Sequence, residues 1–297
     1  MSTEGEPARG GQPGVRAGHR DFDITVAHPA RIWDYWLGGK DNFAADRQAG
    51  DKVLEILPVI ASIARADRAF LIDVVSYLAT EVSLRQFLDI GTGLPTASNT
   101  HEVAQRIAPE SRIVYVDNDP IVLSHARALL TSHPRGATAY IDADLRDTGS
   151  ILASAAATLD FSQPIGLMLL AILQFVPDSE DPYAITAELV DRLPAGSYLA
   201  VVHASSDIQS DSVNSGVQRY NDHSAVPIHP RTKDEVARFF DGLELVGPGV
   251  VPLGTWKPEA TTATGTAADP GAAAGPKAAA DPGAPLLPAY CALARKP

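Results

Sequence analysis

Five short apolar segments recur along the middle of the chain, and a stretch with helical periodicity follows each of them. The segments are rich in β-branched residues and cover residues 85–90, 112–117, 138–142, 165–171 and 197–203. Strands that are apolar on both faces and alternate with helices are typical of a parallel sheet covered on both sides. The pattern therefore predicts an α/β fold whose ligands bind at the carboxyl ends of the strands.

Capping signals mark the starts of several predicted helices. Asp119 and Asp181 each precede a proline, which is the arrangement of an N-cap followed by a first-turn proline. Thr232 and Glu235 have the spacing of a capping box. These signals place helix starts between the predicted strands, as an alternating fold requires.

The segment that precedes the first predicted strand, residues 23–81, shows helical periodicity. We predict one helix over 29–37 that ends at a Gly-Gly pair, a second from near residue 42 to 58, and a third over 63–82. We expect residues 23–81 to form a helical cap over the ligand edge. Residues 82–297 would then form the sheet-containing domain.

Two further segments lack the apolar positions that a core requires. Residues 1–22 consist largely of Gly, Pro, Arg and Glu, and we predict a disordered tail. Residues 258–285 are nearly all Ala, Gly, Pro and Thr and contain the hexamer AADPGA twice. Two copies do not make a repeat protein, so we predict a disordered loop. A final strand follows it.

Composition excludes several classes of protein. The chain has 24 basic and 36 acidic residues and a net charge of −12, which argues against a nucleic-acid partner. Its single cysteine, Cys291, excludes an intrachain disulfide. The N-terminus lacks a signal-peptide core, and the longest apolar run, residues 164–173, is too short to cross a bilayer. We predict a cytoplasmic protein without a membrane partner.

The turn DIGTGLPT after the first predicted strand indicates a nucleotide cofactor. Gly91 and Gly93 fit the dinucleotide fingerprint, but Thr96 occupies the position of its third glycine. Pro95 also removes a backbone N–H group that a pyrophosphate would use. S-adenosylmethionine carries no phosphate, and an acid followed by glycines, as in Asp89 and this turn, suits it. The turn alone is a weak signal.

Acids after the next two strands strengthen this interpretation. Asp117 ends the second strand, where a carboxylate accepts hydrogen bonds from ribose hydroxyls, whereas Asp119 is better explained as a helix cap. Asp144 follows the third strand and is placed to accept from the adenine amino group. Asp142 and Asp147 are the other candidates for this contact, but Asp147 is better explained as the cap of the next helix. The alternative, that these acids only cap loops, stays open, above all for Asp144.

The chain resembles a known family over residues 28–256 and in its closing strand, 287–297. The resemblance rests on the motifs HPARIWDYWLGGKDNFAADR, RQFLDIGTGLPT, IVYVDNDP, DADLRD and FFDGLELV. These are similar to the actinobacterial S-adenosylmethionine-dependent methyltransferases formerly known as a domain of unknown function.

The resemblance implies a Rossmann-like class I methyltransferase fold, with a seven-stranded, mostly parallel sheet and helices on both faces. LELVGPGVV and AYCALARK would be its antiparallel last two strands. It also implies S-adenosylmethionine as cofactor and S-adenosylhomocysteine as product. The Ala/Gly/Pro segment departs from the short connection usual between these strands. Gln174 stands where the family suggests His, which weakens a proton-transfer role at that position.

The segment DYWLGGKDNF offers further candidates for ligand contact. Tyr35 and Trp36 present aromatic faces suited to a sulfonium or an adenine, and Lys40 or Arg31 would meet the ligand's carboxylate. Gly38 would allow a hinge. Periodicity alone favours a packed helix with a glycine stop, whereas the resemblance favours ligand contact for some of these residues. For Arg65 and Arg68 the same two alternatives, packing in a helix or contact with the ligand, stay open. The predicted cofactor contacts are Asp89, Gly91, Thr92, Gly93, Asp117, Asn118, Asp144, Leu145, Tyr35, Gly38 and Lys40.

Methyl transfer from a sulfonium requires alignment first, and a general base only if the acceptor is protonated until attack. His203, at the end of the fifth predicted strand, is the main candidate for that base, although strand-end histidines are more often structural. Tyr220 and Asp178 are weaker candidates. His101 lacks the second histidine of a zinc helix, so we predict no metal site.

We therefore expect an S-adenosylmethionine-dependent methyltransferase that acts on an unidentified, small-molecule acceptor. Two alternatives stay open. The protein could bind S-adenosylmethionine without catalysis, as a sensor or interaction module. An NAD-dependent oxidoreductase is disfavoured by Pro95 and Thr96. The sequence indicates no oligomeric state.

Overall fold

The computed structural model describes residues 23–129, 131–222, 224, 226–258 and 286–297. The predicted disordered tail, 1–22, lies outside the described residues, as does the predicted loop apart from Pro258. Within the described part, seven strands form one sheet in the order β3-β2-β1-β4-β5-β7-β6. The strands are β1 (Gln86–Ile90), β2 (Arg112–Asp117), β3 (Ala137–Asp142), β4 (Gly166–Leu170), β5 (Tyr198–Ala204), β6 (Glu244–Pro252) and β7 (Ala289–Arg295).

Strands β1 to β5 are parallel, and β7 pairs antiparallel with both β5 and β6. All five predicted inner strands lie within one residue of their predicted positions. The antiparallel closing pair, which the family resemblance implied, is also present. The prediction of a Rossmann-like, mostly parallel seven-stranded sheet is confirmed.

Along the chain, helices separate each of the strands β1 to β6 from the next, and their caps follow the local sequence. The Asp181 side chain accepts from the Ala184 N–H, and Thr232 forms the predicted capping box with Glu235. The helices are α1 (Pro29–Trp36), α2 (Ala44–Ile56), α3 (Ile60–Thr80), α4 (Thr100–Ile107), α5 (Pro120–Leu129), α6 (Thr148–Ala155), α7 (Pro182–Asp191), α8 (Ser210–Asn221) and α9 (Lys233–Ala237). None of these described helices is long and apolar enough to cross a membrane.

Side chains alternate between the two faces of the sheet, and each face has its own core. On one face, Val74 and Leu78 of α3 belong to the same cluster as Met168 of β4. On the other face, Leu167 of β4 packs with the residues of α6 and α7, for example Ile151. Because α3 covers the sheet directly, it is a layer of the core. The division of the chain at residue 81 stays a prediction.

Candidate functional site

A crevice opens at the carboxyl ends of β1, β2 and β4. This is the point where the strand order reverses direction around β1, and it is the general ligand position in such sheets. The crevice holds about 1190 Å³ of space, counted out to its open mouth. Helices α1 and α3 and the segment after β4 complete its walls. Eight of the predicted cofactor contacts line it: Asp89, Gly91, Thr92, Gly93, Asp117, Asn118, Asp144 and Leu145.

The two glycines of the turn after β1 have different roles. Gly91 has φ +76°, and an added Cβ would lie 2.6 Å from the Ile172 side chain. Gly93 has φ +64°, and nothing lies within 4 Å of an added Cβ. Both positions lie in the left-handed region that favours glycine. Gly91 is therefore required for packing against the segment after β4, while Gly93 leaves its backbone open to the crevice.

Asp117 connects this turn to the end of β2. Its Oδ2 accepts from the Gly93 N–H at 2.9 Å, and its Oδ1 accepts from the Asp119 N–H at 2.9 Å. Burial raises the pKa of Asp117, and these two hydrogen bonds oppose the shift. The two hydrogen bonds fix the orientation of the carboxylate. Because each oxygen has a second lone pair, it can still accept a hydrogen bond from a ligand.

Asp144 also lines the crevice and is held by its neighbours. Asn118 Nδ2 donates to its Oδ2 at 3.0 Å, and the Arg146 guanidinium donates at 2.9 and 3.1 Å. Burial would raise the pKa of Asp144, but the hydrogen bonds from Arg146 outweigh it and lower the pKa. Asp147 caps α6 through the Ser150 N–H, as the alternative role predicted. Asp142 is exposed and lies outside the crevice.

One buried acid in the wall, Asp67, was missed by the sequence analysis, and it interacts with the predicted contact Asp89. Asp67 of α3 is 5% exposed, and its Oδ1 has no hydrogen-bond partner in the described structure. Burial raises its pKa to about 7, Arg68 opposes this, and Asp89 adds to it. Burial likewise raises the pKa of Asp89 to about 6, although the Thr100 hydroxyl donates to it at 2.6 Å. A usable signal existed, because Asp67 interrupts the apolar stripe of α3.

The two candidate arginines of α3 point in different directions. Arg68 lines the crevice, and its Nη2 donates to the Ser98 carbonyl at 3.0 Å. Its Nε is buried without a hydrogen-bond partner in the part of the chain that the structure describes. Arg65 instead donates to the Ser62 hydroxyl and lies outside the crevice. Of this pair, Arg68 is the one placed to meet a ligand's carboxylate.

Helix α1 turns a different aromatic residue to the crevice from the one predicted. Trp33 lines it, whereas the Tyr35 hydroxyl donates to Asp51 of α2 at 2.5 Å. Trp36 points inward and donates to the Gly50 carbonyl at 3.3 Å. Residues 33 and 37 share a helix face that residue 35 does not, which explains the difference. The predicted contacts Tyr35, Gly38 and Lys40 are all absent from the lining.

Arg31 takes part in a buried cluster instead of facing the crevice. It lies 3.6 Å from Asp46 of α2 and 3.8 Å from Asp119, which follows β2. The His28 side chain reaches the same Asp119 carboxylate at 2.9 Å, and the His28 N–H donates to Asp46 at 2.9 Å. The Asp119 Oδ1 accepts from the Ile121 N–H, as a cap. These contacts fix the start of α1 against the sheet.

His203 is not available as a base. It is fully buried, one ring nitrogen contacts the Ala204 carbonyl at 2.8 Å, and the other contacts Arg231 Nη1 at 2.9 Å. Burial lowers its pKa to about 3. Asp178, the weaker candidate, forms an ion pair with the same Arg231 at 2.6 Å. The imidazole lines neither this crevice nor the second, apolar space described next, so the structure gives it a packing role.

A second space, which we call the apolar chamber, adjoins the crevice and holds about 700 Å³ by the same measure. It lies among α1, α2 and α8 and the ends of β5 and β7. Trp33 and Phe175 line both spaces, and Tyr220 lines the chamber only. Among the described residues, no group of three or more His, Cys, Asp or Glu could hold a metal ion.

Comparison with known proteins identifies relatives of the chain. A family model described as S-adenosyl methyltransferase matches residues 16–297. A crystal structure of a DUF574 family protein from Streptomyces avermitilis is 42% identical, with a TM-score of 0.82, covering 93% of this chain and 99% of that one. A candidate methyltransferase from Thermobifida fusca is 35% identical, with a TM-score of 0.77 and coverage of 92% and 96%.

A more distant structure, an S-adenosylmethionine-dependent methyltransferase from Anabaena variabilis, is 12% identical with a TM-score of 0.50, covering 92% of this chain and 98% of that one. It supports the fold alone. No curated protein matches the sequence.

Proposed function

Because the chain belongs to the S-adenosyl methyltransferase family, whose cofactor is S-adenosylmethionine, we propose that the crevice residues bind this cofactor and that the enzyme methylates a small-molecule acceptor. One observation carries the proposal. The hydrogen bond from the Gly93 N–H to Asp117 places an open stretch of backbone beside a fixed carboxylate. This is a site for a nucleoside without phosphates.

The adenosyl part of the ligand fits the groups at the β1 and β2 ends. Above Gly93 an added Cβ would meet nothing within 4 Å, so a ligand has room to lie against the main chain. The free lone pairs of Asp117 would accept from the two ribose hydroxyls. Asp144 would accept from the adenine amino group, with the buried Leu145 side chain against the ring. Pro95 withholds the N–H group that a pyrophosphate would need.

The amino-acid part of the ligand fits the α3 side of the crevice. Arg68 has an unpartnered buried Nε that would donate to the ligand's carboxylate. Asp67 has an unpartnered buried Oδ1 that would accept from its ammonium group. Charge-assisted hydrogen bonds of this kind are the strongest that a site offers. We assign these two residues in place of Lys40 and Arg31.

When bound, the cofactor supplies a methyl group on a sulfonium sulfur, which takes back the electron pair of the breaking S–C bond as an acceptor lone pair forms the new bond. The protein's part is to align the two partners and exclude water, which contributes up to about 7–11 kcal/mol of the barrier. Trp33 and Phe175 stand where the crevice meets the chamber and would perform both tasks. An acceptor proton would leave to solvent or to a crevice carboxylate.

Thermal-shift titration tests the cofactor assignment. We expect S-adenosylmethionine and S-adenosylhomocysteine to stabilise the protein and NAD to leave it unchanged. Asp117→Ala should weaken S-adenosylhomocysteine binding about 100-fold, because it removes two hydrogen bonds to the ribose from a buried carboxylate. Asp142→Ala is the matched control, since Asp142 ends the neighbouring strand in register with Asp117 but lies outside the crevice. Unchanged affinity in Asp117→Ala would contradict the ribose assignment.

A further inference from the structure

We propose that the apolar chamber is the acceptor site and that it selects neutral, mainly apolar compounds carrying a carbonyl, ether or hydroxyl oxygen. The inference rests on the proposed function, because it names the substrate class of that same site. The crevice and the chamber share Pro29, Trp33, Ala171 and Phe175. A molecule in the chamber therefore lies against the same residues that close the crevice.

The charge of the lining excludes most metabolites. None of the described residues that line the chamber carries a charged side chain. Its walls are aliphatic and aromatic side chains from α1, α2, α3 and α8. Among the described lining residues, Gln174 and Tyr220 carry polar groups without a hydrogen-bond partner, and the indole N–H of Trp33 is a further donor where the chamber meets the crevice. Burying a phosphate, a carboxylate or an ammonium there without a partner would be strongly unfavourable. Nucleotides, sugar phosphates and amino acids are therefore poor acceptors.

Helix α8 forms one wall through a regular stripe. Val213, Gly216, Val217 and Tyr220 line the chamber at the spacing of a single helix face. At Gly216 an added Cβ would lie 3.3 Å from Leu57, the C-cap residue of α2, so α8 packs closely against this end of α2. On this side the chamber is therefore closed by α8 in direct contact with the end of α2.

Gln174 and Tyr220 define what the acceptor must carry. Gln174 Oε1 accepts from the Ala204 N–H at 3.0 Å, and its Nε2 makes no hydrogen bond within the described residues. The Tyr220 hydroxyl is buried, and no described residue makes a hydrogen bond of ordinary geometry to it. Burial raises the pKa of Tyr220, while Ser224 opposes the shift, so the group stays protonated. Gln174 and Tyr220 thus offer the chamber two donors, which call for an oxygen acceptor on the ligand.

Calorimetric titration at pH 7 with saturating S-adenosylhomocysteine tests the proposal with three probes of similar shape. These are 2-naphthol, which is neutral with an oxygen, naphthalene, which has none, and 2-naphthoate, which is charged. We expect 2-naphthol to bind about tenfold more tightly than 2-naphthoate and several-fold more tightly than naphthalene.

Variants locate the binding. Val217→Trp fills the chamber and should weaken 2-naphthol about tenfold, whereas Gln218→Trp, on the exposed face of the same helix, should not. Tyr220→Phe should reduce the difference in affinity between 2-naphthol and naphthalene, because it removes one of the two donors. S-adenosylhomocysteine affinity should stay unchanged in all three variants and also reports whether each one is folded.

Other results overturn the proposal in distinguishable ways. If none of the probes binds, if 2-naphthoate binds as well as 2-naphthol, or if neither Val217→Trp nor Tyr220→Phe changes probe binding, the chamber is not such a site. If S-adenosylhomocysteine still binds in that case, the cofactor assignment stands. If the wild-type protein fails to bind S-adenosylhomocysteine at all, the proposed function itself is wrong.

Discussion

The crevice and the apolar chamber share a wall but differ in nearly every other respect. The crevice is lined by charged groups whose geometry is fixed by hydrogen bonds, such as Asp117 and Asp144. The described lining of the chamber carries no charge, and its polar side chains, those of Gln174, Tyr220 and the two tryptophans, carry hydrogen-bond donors. Under the proposed function, the crevice holds a single charged ligand in a set pose. Under the further inference, the chamber selects by shape and by the exclusion of charge, which is compatible with a range of acceptors.

The largest expected effect separates the two glycines of the crevice. Gly91→Ala should lower the free energy of unfolding by about 3 kcal/mol, because it adds a clash with Ile172 to the left-handed backbone penalty. Gly93→Ala should lower it by only about 1–2 kcal/mol but weaken S-adenosylhomocysteine about tenfold, since its Cβ occupies ligand space. Urea denaturation and calorimetry measure the two quantities. Equal destabilisation by both variants would contradict the assigned roles.

An intermediate effect on stability is expected at His203, which does not line the chamber. His203→Leu should lower the free energy of unfolding by about 2 kcal/mol, because Arg231 loses a buried partner. The folded-state pKa of His203 is about 3 against an ordinary value of 6.5, so its contribution to stability is present above pH 6.5 and declines as the pH falls. The variant should lack that decline.

The matched control for this variant is His133→Leu, at an exposed histidine, which should change stability by less than about 0.5 kcal/mol. Binding of S-adenosylhomocysteine and of 2-naphthol should be the same in both variants. A loss of 2-naphthol binding in His203→Leu alone would restore a direct role for this histidine.

The smallest expected effect is a pH dependence of cofactor affinity, which ligand binding in the chamber should not share. Asp67 has a pKa of about 7 without ligand, and the ligand's ammonium favours its ionised form, so binding releases a proton. S-adenosylmethionine affinity should therefore rise several-fold between pH 5.5 and pH 7.5. Arg68, Asp89 and Cys291 are the ionisable groups that interact with Asp67. Binding of 2-naphthol should stay flat over the same range.

The variant Asp67→Asn should remove this rise. Stability provides a second measurement, because a raised folded-state pKa makes the free energy of unfolding of the wild type decrease as the pH rises from about 4 to 7. The variant should show a shallower decrease, with Asp89 contributing the remainder. A slope identical to that of the wild type would exclude Asp67 as its source.

Those parts of the molecule that depend on local sequence were predictable. The five inner strands, the caps at Asp181 and Thr232 and the turn around Gly91 and Gly93 all follow from the residues that form them. The crevice edge was predictable for the same reason, because parallel strands bring their carboxyl ends together.

Side-chain direction was predictable only in part. His203 lies at the ligand edge as expected. Strand alternation, however, turns its side chain to the sheet face opposite Val202 and Ala204, which line the chamber, and there it stacks on Phe239 with ring centroids 5.7 Å apart. Trp33 rather than Tyr35 reaches the crevice because the phase of α1 is set by its packing on α2. The chamber combines residues from four separate helices, and no local pattern in the sequence indicates such a combination.

The buried cluster at the start of α1 has a practical consequence for shortened versions of the protein. Asp119 is 3% exposed and lies beside His28 and Arg31. A truncation that begins after Arg31 would remove both partners and expose an uncompensated acid two positions beyond Asp117. Fragments designed for crystallisation or screening should therefore start ahead of His28. We expect shorter ones to bind S-adenosylhomocysteine more weakly, although Asp119 itself does not line the crevice.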